Sequence, residues 1–296
     1  MRRLIPLVIT IAVGSLALAA EHPKSREEAE ALIASLKFQQ GQIALSNGLA
    51  TLNVPNGFRY LNGADANKIL VQLWGNPPGS TPLGLLMPDI SPIDHRAWAV
   101  IITYAEDGYV KDHDAEKIDY NDLLKQMQKD IGDANPERTR QGYPTMELIG
   151  WAAPPRYDRG VHKLYWAKEL KFSGETQNTL NYNIRMLGRR GVLVLNAVAA
   201  MSQLSEIQKV TPQILSSIDY NAGNRYADFN AASGDKVASY GLAALVAGGV
   251  AAKLGLFKGL WIAILAAKKF IIIGVAAVVA WFKKLFGKKK PATGEL

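Results

Sequence analysis

The stretch "LNYNIRMLGRRGVLVLN", residues 180–196, consists of two alternating runs on either side of Gly188–Gly191. With the two arginines between these glycines as a two-residue turn, it predicts a β-hairpin in which Asn183 faces Asn196. One face of this hairpin is apolar and is expected to pack on a core. The stretch therefore predicts an antiparallel sheet in this part of the chain.

The opposite face of the hairpin is polar, and it has two interpretations. We interpret it as a solvated face, because antiparallel sheets commonly alternate in this way. The alternative is a recognition surface, because Asn is a poor strand former and because amides and a guanidinium suit carboxylates or sugar hydroxyls. The candidate ligand-binding residues on this face are Asn181, Asn183, Arg185 and Asn196.

A second candidate region is the aromatic stretch "GWAAPPRYDRGVHKLYWAKEL", residues 150–170. Pro154 and Pro155 are expected to end one strand, after which the chain turns and "HKLYWAKEL" forms the next strand. Most of the aromatic residues are thereby assigned to the scaffold. Tyr157 and His162 lie in or beside the predicted loop, where binding residues are often found, and we add them to the candidate ligand-binding residues.

The remaining patterns indicate an α+β domain. Ser25 and Glu28 form a capping-box pattern that predicts a helix start, Asn47-Gly48 predicts a two-residue hairpin turn, and Gly75 predicts a helix end. Strands outnumber helices and do not alternate with them, so we expect an antiparallel sheet with helices packed on one side. Further strands are predicted over 83–88, 97–105, 145–152, 163–172, 179–187 and 192–199, and helices over 64–74, 120–131 and 205–218.

The N-terminal sequence has the pattern of a secretory signal. Arg2 and Arg3 precede an uncharged stretch that ends in small residues, which predicts a signal peptide over residues 1–20. The alternative is a retained membrane anchor. Cleavage would leave an exported domain over residues 21–232, and this domain must fold without disulfides because the chain has no Cys.

The C-terminal sequence indicates a membrane anchor. Residues 237–257 predict a transmembrane helix, preceded by a tether over 228–237. Residues 258–296 predict a basic amphipathic membrane-associated helix and tail, because the lysines lie in one arc of a helical projection. The alternative is a hairpin with a second span over 259–282. The predicted membrane-interface residues are Lys258, Lys268, Lys269, Lys283 and Lys284.

The net charge of +8 is concentrated at the two ends of the chain. Residues 4–237 carry 23 Lys and Arg against 25 Asp and Glu, so the folded part gives no support to nucleic-acid binding. A single span leaves the later lysines on the cytoplasmic side. We therefore expect a bacterial inner-membrane protein with its main domain in the periplasm and its C-terminal tail in the cytoplasm. The expected partners are inner-membrane lipid and, as a second candidate, an envelope protein.

No local motif identifies a reaction. The sequence lacks the HExxH, G-x-S-x-G, P-loop and GxGxxG patterns, and its four histidines lie far apart. Asp112, His113 and Asp114 are adjacent, but neighbouring residues of an extended chain point apart, so we interpret them as an acidic surface turn. We expect no metal and no cofactor.

Several stretches together resemble a known family. They are "GLATLNVP", "WGNPP", "YDRGVHKLYWAKEL", "LNYNIRMLGRRGVLVLN", "RYADF" and "YGLAALVAGGVAAK". In these stretches the chain resembles the bacterial membrane-anchored proteins of domain of unknown function 2167. The resemblance implies an exported domain with a C-terminal membrane anchor and supplies no catalytic residue. The order of elements is also similar to the fold of photosystem oxygen-evolving accessory proteins.

Two hypotheses about function follow from these patterns. The first is a membrane-anchored periplasmic binding or interaction module without catalytic activity. The second is an envelope enzyme that acts on an unidentified substrate through residues with no recognisable motif. A convergent, desolvated polar cluster would favour the enzyme, and a flat solvated face would favour the module.

Overall fold

The computed structural model describes residues 22–76, 79–140 and 142–248. These residues form an α+β fold with two antiparallel sheets and a few helices. The predicted signal peptide over 1–20 and the predicted amphipathic helix and tail over 258–296, with all five interface lysines, lie outside the described residues.

The elements are named in chain order. The strands are β1 (Gln42–Leu45), β2 (Ala50–Asn53), β3 (Phe58–Asn62), β4 (Gly84–Pro88), β5 (Ala99–Ala105), β6 (Met146–Asp158), β7 (Lys163–Phe172), β8 (Thr179–Leu187), β9 (Val192–Ala200) and β10 (Ile218–Tyr220). The helices are α1 (Arg26–Ala34), α2 (Gly63–Asn67, continued by a π-helical turn over Lys68–Leu73), α3 (Tyr120–Arg140), α4 (Leu204–Ser217) and α5 (Leu242–Ala247). The large sheet has the strand order β3-β4-β5-β9-β8-β7-β6, and the small sheet has the order β1-β2-β10.

The predicted central hairpin is confirmed, including its register. Leu187 pairs with Val192 and Asn183 pairs with Asn196, and the turn is closed by a hydrogen bond from Gly188 N to Gly191 O of 2.8 Å. Gly191 is required here because a Cβ atom would lie 2.1 Å from the carbonyl oxygen of Ala105 on β5. Because this register is the predicted one, the alternation in the sequence correctly predicts which side chains of the hairpin share a face.

The large sheet is covered on both faces. On one face it packs against α4 and the small sheet. On the other face, α1 and α2 cover the β3–β5 end, whereas α3 and α5 cover β6–β9. Every residue of β8 is consequently buried. The expectation of helices on one side only is wrong, because a polar face can be buried when its groups hydrogen-bond to each other.

The predicted helix start at Ser25 and helix end at Gly75 are confirmed, whereas the length of the turn predicted at Asn47-Gly48 is corrected. Ser25 Oγ accepts a hydrogen bond from Glu28 N (3.2 Å), as a helix cap should, and Gly75 follows the end of α2 with a φ of 66°. The β1–β2 connection has four residues instead of the two predicted at Asn47-Gly48. Leu49 takes a helical conformation and donates to Leu45 O (3.0 Å), so it cannot join the strand ladder.

Strand β6 is longer than predicted. Pro154 and Pro155 do not end it, because β6 lies at the edge of the sheet, where a missing N–H can face away from the neighbouring strand. Register shifts on either side of Ala153 accommodate the prolines. The turn therefore begins after Asp158, and Tyr157 lies within the strand.

The last described segment, Tyr226–Gly248, is here termed the C-terminal strap. Asp235 pairs with Arg189 (2.6 Å), Val237 forms a parallel bridge with Tyr109, and Leu242 and Val246 are buried in the core layer that includes α3. The interpretation of 228–237 as a tether is wrong, because these residues are bonded to the body.

The strap also bears on the predicted transmembrane helix over 237–257. Helix α5 begins at Leu242 rather than Val237 and is followed by Gly248 with a φ of 73°. Residues 249–257 lie outside the described part of the chain. Within the ranges that are described, none of the helices has the length and apolar character needed to cross a bilayer.

Candidate functional site

The polar face of the central hairpin is buried. Its four candidate residues lie on β8 and β9 beneath the layer formed by α3 and the strap, and Lys168 of β7 shares the face. The interpretation as a solvated face is therefore wrong. These residues are here termed the buried polar cluster, and their exposed fractions are Lys168 4%, Asn181 1%, Asn183 4%, Arg185 6% and Asn196 2%.

The amides of the cluster form a directional chain of hydrogen bonds. Arg185 Nη2 donates to Asn183 Oδ1 (3.3 Å), and Asn183 Nδ2 donates to Asn181 Oδ1 (2.7 Å). Asn181 Nδ2 in turn donates to Asn196 Oδ1 (2.7 Å), which links β8 to β9. Because the bond between Asn181 and Asn196 forms only when β8 and β9 pair in this way, it stabilises the observed register.

Two cations are desolvated on this face. Burial lowers the pKa of Arg185 to about 10, and burial together with the charge of Arg185 lowers the pKa of Lys168 to about 7. The guanidinium carbon of Arg185 lies 5.0 Å from the ring centroid of Trp166. Across the described ranges, no Asp or Glu forms an ion pair with Arg185.

The indole of Trp166 has an unusual environment. Trp166 lies next to Asn183 in the ladder between β7 and β8, and it is 1% exposed. Its Nε1 group is buried and has no hydrogen-bond partner. Buried donors in native proteins are nearly always paired, so this group requires an explanation.

The strap covers this part of the sheet. Tyr240 of the strap lies near Arg185, and its hydroxyl donates to Asp107 Oδ2 (2.6 Å). Burial and this bond raise the pKa of Tyr240. The cluster is thus shielded from solvent by a segment that is itself fastened by a side-chain hydrogen bond.

The structure brings the other two candidates together. Tyr157 hydroxyl donates to Asp112 Oδ2 (2.8 Å) and lies 3.1 Å from His162 Nδ1. Burial and the bond to Asp112 raise the pKa of Tyr157. Because the His162 side chain is 30% exposed, this group is reachable from solvent. Within the described part of the chain, this group has no hydrogen bond to Asn181, Asn183, Arg185 or Asn196.

The backbone and the ring of His162 are both constrained. Its φ of 50° is left-handed, which costs energy for a residue other than Gly. Its ring lies 4.0 Å from the ring of Tyr226 at the start of the strap, and Tyr226 stacks on Tyr109 at 4.3 Å. Asp112 directly precedes the turn at His113 and Asp114, and its carboxylate is directed at Tyr157 and His162. The sequence signal for Asp112 is its place in the adjacent group Asp112, His113 and Asp114.

A groove of about 560 Å³ lies between α3 and β6. Asn135 forms two hydrogen bonds with the backbone of Met146, and Gln128 donates to the carbonyl oxygen of Leu148 (3.1 Å). Sequence reasoning missed this groove because it ended α3 at residue 131, before Asn135. The polar side chains of the lining mainly form hydrogen bonds with backbone groups of β6, the edge strand of the sheet.

The described residues contain no group of three His, Asp or Glu side chains placed to hold a metal ion. Asp112 and His162 form a pair whose Oδ2 and Nδ1 atoms lie 3.7 Å apart. A pair with a tyrosine hydroxyl between its members is suited to proton transfer rather than to metal binding.

Comparison with known proteins gives one family match. A family model described as "Protein of unknown function (DUF2167)" matches residues 37–279. No curated protein matches the chain.

Three similar solved structures are more distant. Cyanobacterial PsbP (CyanoP) from Synechocystis sp. PCC 6803 is 16% identical, with a TM-score of 0.34 over 64% of this chain and 94% of that chain. The Ran-binding protein Mog1p of Saccharomyces cerevisiae is 10% identical, with a TM-score of 0.34 over 66% and 100%. LpqN of Mycobacterium tuberculosis, described as involved in cell envelope biogenesis, is 13% identical, with a TM-score of 0.31 over 63% and 92%. Similarity at this level carries no argument about function.

Proposed function

The chain belongs to the family of proteins of unknown function DUF2167, and from its own residues we propose that it is a binding or interaction module of the bacterial envelope. In this proposal the main domain lies in the periplasm, the C-terminal region anchors it in the inner membrane, and the tail reaches the cytoplasm. Its partners are inner-membrane lipid and an envelope protein, and it has no catalytic role.

The observation that supports this proposal is the attachment of the C-terminal strap. The strap is bonded to the body through Asp235 and Tyr240, and it is followed directly by an apolar sequence that contains lysines. A domain joined in this way is held close to the bilayer in a fixed orientation. Such an arrangement suits a module that presents one surface to a partner at the membrane.

The buried positions of Leu242 and Val246 restrict where the proposed anchor begins. These side chains cannot remain in the core and also face lipid, so the anchor is placed after Gly248. A cytoplasmic tail then requires a span over about 259–282, which places Lys268 and Lys269 within the bilayer at a cost of about 3 kcal/mol each. A helix lying in the interface avoids this cost but keeps the tail on the side of the domain.

Cysteine labelling tests the proposed topology directly, because the natural chain has no Cys. Single substitutions Thr176→Cys, on an exposed loop of the domain, and Thr293→Cys, in the tail, would be treated with a membrane-impermeant maleimide in spheroplasts. We expect labelling of Thr176→Cys in intact spheroplasts and labelling of Thr293→Cys only after permeabilisation. Labelling of both without permeabilisation contradicts the cytoplasmic tail, and protection of Thr176→Cys contradicts the periplasmic domain.

A second candidate function, an envelope enzyme, is favoured by the burial of the polar cluster and by the group formed by Asp112, Tyr157 and His162. A histidine beside a carboxylate and a hydroxyl can transfer protons, and backbone strain of the kind seen at His162 concentrates at functional sites. The test is complementation of a deletion strain by His162→Gly, which removes the imidazole and the strain together. Loss of function in a stably folded His162→Gly protein supports the enzyme, whereas full complementation rejects it.

A further inference from the structure

Two members of the face that carries the buried polar cluster are a buried cation, Arg185, and a buried unpaired donor, the Trp166 indole N–H, and among the described residues no carboxylate forms an ion pair with Arg185. Burying a charge without a counter-charge is strongly unfavourable, and so is burying an N–H group without an acceptor. Arg185 is the charge without a counter-charge, and the Trp166 indole carries the N–H group without an acceptor. The guanidinium carbon of Arg185 lies 5.0 Å from the ring centroid of Trp166. One acceptor with negative charge at this position would resolve both.

The available donors indicate which kind of anion fits. Arg185 donates one N–H of Nη1 to Ile184 O and one N–H of Nη2 to Asn183 Oδ1, so further guanidinium N–H groups remain. A guanidinium matches a carboxylate in two parallel hydrogen bonds. The Trp166 Nε1 group can add a third donor.

The surroundings of the cluster are apolar. Leu164, Val194 and Leu242 belong to the same core layer as Trp166, and the strap covers this layer. A small hydrated anion would have to lose its water here without gaining contacts. A carboxylate that carries an apolar chain would bury that chain among these side chains.

We infer that this face of β7 and β8 is a binding site for an apolar carboxylate, in which Arg185 and the Trp166 indole N–H hold the carboxylate and the core layer beneath the strap holds the chain. The site extends the proposed binding function by naming a ligand class. The inference rests on the proposed binding function but not on the proposed membrane topology, so an error in that topology would leave the inference unchanged.

The test uses the full chain in neutral maltoside micelles and follows thermal unfolding by circular dichroism. The probe is octanoate, with octan-1-ol as the control for the chain and acetate as the control for the carboxylate, all at equal ionic strength. We expect octanoate to raise the melting temperature saturably, by roughly 5 °C or more at saturation. Octan-1-ol and acetate at the same concentration should produce a shift several-fold smaller.

Three variants separate binding from folding. Arg185→Met should lose the octanoate shift, whereas the matched control Arg190→Met, on the exposed turn of the same hairpin, should retain it. Trp166→Phe keeps an aromatic ring but removes the unpaired donor, so we expect several-fold weaker octanoate binding without a lower melting temperature in its absence. This variant decides the matter if Arg185→Met does not fold.

The inference is overturned by any of three results. They are the absence of a saturable shift in the natural chain, an equal shift with octan-1-ol, and an unchanged octanoate shift in both Arg185→Met and Trp166→Phe. An acetate shift as large as that of octanoate would assign the site to small soluble carboxylates and overturn the apolar chain. Failure of the cysteine-labelling experiment would affect none of these outcomes.

Discussion

At the scale of single residues, the same alternating pattern is compatible with opposite environments. The sequence predicts that Asn181, Asn183 and Arg185 share a face, and this is confirmed. It does not distinguish a solvated face from a buried one, because burial depends on α3 and on the strap, which are distant in sequence. The choice of Asn instead of Thr or Lys at these positions is the sequence signal for burial, because the Asn side chains hydrogen-bond to each other in the buried layer.

The amide chain predicts a stability cost for its central member. Asn183→Ala removes the acceptor of Arg185 and the donor to Asn181, which leaves buried groups unsatisfied. We expect a loss of roughly 1 to 3 kcal/mol in the free energy of unfolding, measured by urea denaturation. The control Asn53→Ala, at an exposed position, should change it by less than about 0.5 kcal/mol. Equal stabilities of the two variants would show that the chain of amides is not stabilising.

Lys168 predicts a pH dependence of stability. Its pKa is about 7 in the folded protein and about 10.4 in an unfolded chain, so between these values the unfolded chain binds more protons. The free energy of unfolding should therefore rise from pH 7 to pH 9, by up to about 1.4 kcal/mol per pH unit. Lys168→Met should lack this rise, whereas Lys171→Met, exposed on the same strand, should retain it. Parallel pH profiles for the natural chain and Lys168→Met would contradict the depressed pKa.

At the scale of elements, prediction succeeded where the local signal was complete. The central hairpin has both its turn glycines and its alternation within residues 180–196, and its register was predicted. The ends of α3 and β6 were predicted wrongly because their signals are not local. Helix α3 continues past Gly132 and contains Pro136, and its last turns are held by the bonds between Asn135 and Met146.

The contact between α3 and β6 predicts a role in protecting the sheet edge. The side chain of Asn135 bonds both the N–H and the carbonyl of Met146, as a neighbouring strand would. Asn135→Ala should free these groups, lower the free energy of unfolding by roughly 1 to 3 kcal/mol and increase self-association. Light scattering after size-exclusion chromatography measures the association. The control Gln126→Ala, exposed on the same helix, should remain like the natural chain, and the same behaviour by Asn135→Ala would reject the protective role.

At the scale of the whole molecule, the boundary between domain and anchor could not be predicted from composition. Residues 228–248 are rich in small and apolar side chains, which describe a tether and a membrane helix equally well. Their packing depends on particular partners in distant parts of the chain, which are Asp107, Tyr109, Asp114 and Arg189. The strap thus makes the C-terminal region part of the fold, and both proposals about function depend on this arrangement.

Hydrogen–deuterium exchange of the full chain in neutral micelles tests this arrangement most directly. Residues 226–247 should exchange slowly, at rates comparable with those of residues 180–196, because amides such as Ala238 N are hydrogen-bonded to the body (2.9 Å to Tyr109 O). The exposed turn over 173–177 serves as the fast reference within the same experiment. Slow exchange of the strap is the predicted result. Exchange of residues 228–241 as fast as that of the reference turn would contradict the account, because the strap would then be a tether and the buried polar cluster would lack its cover.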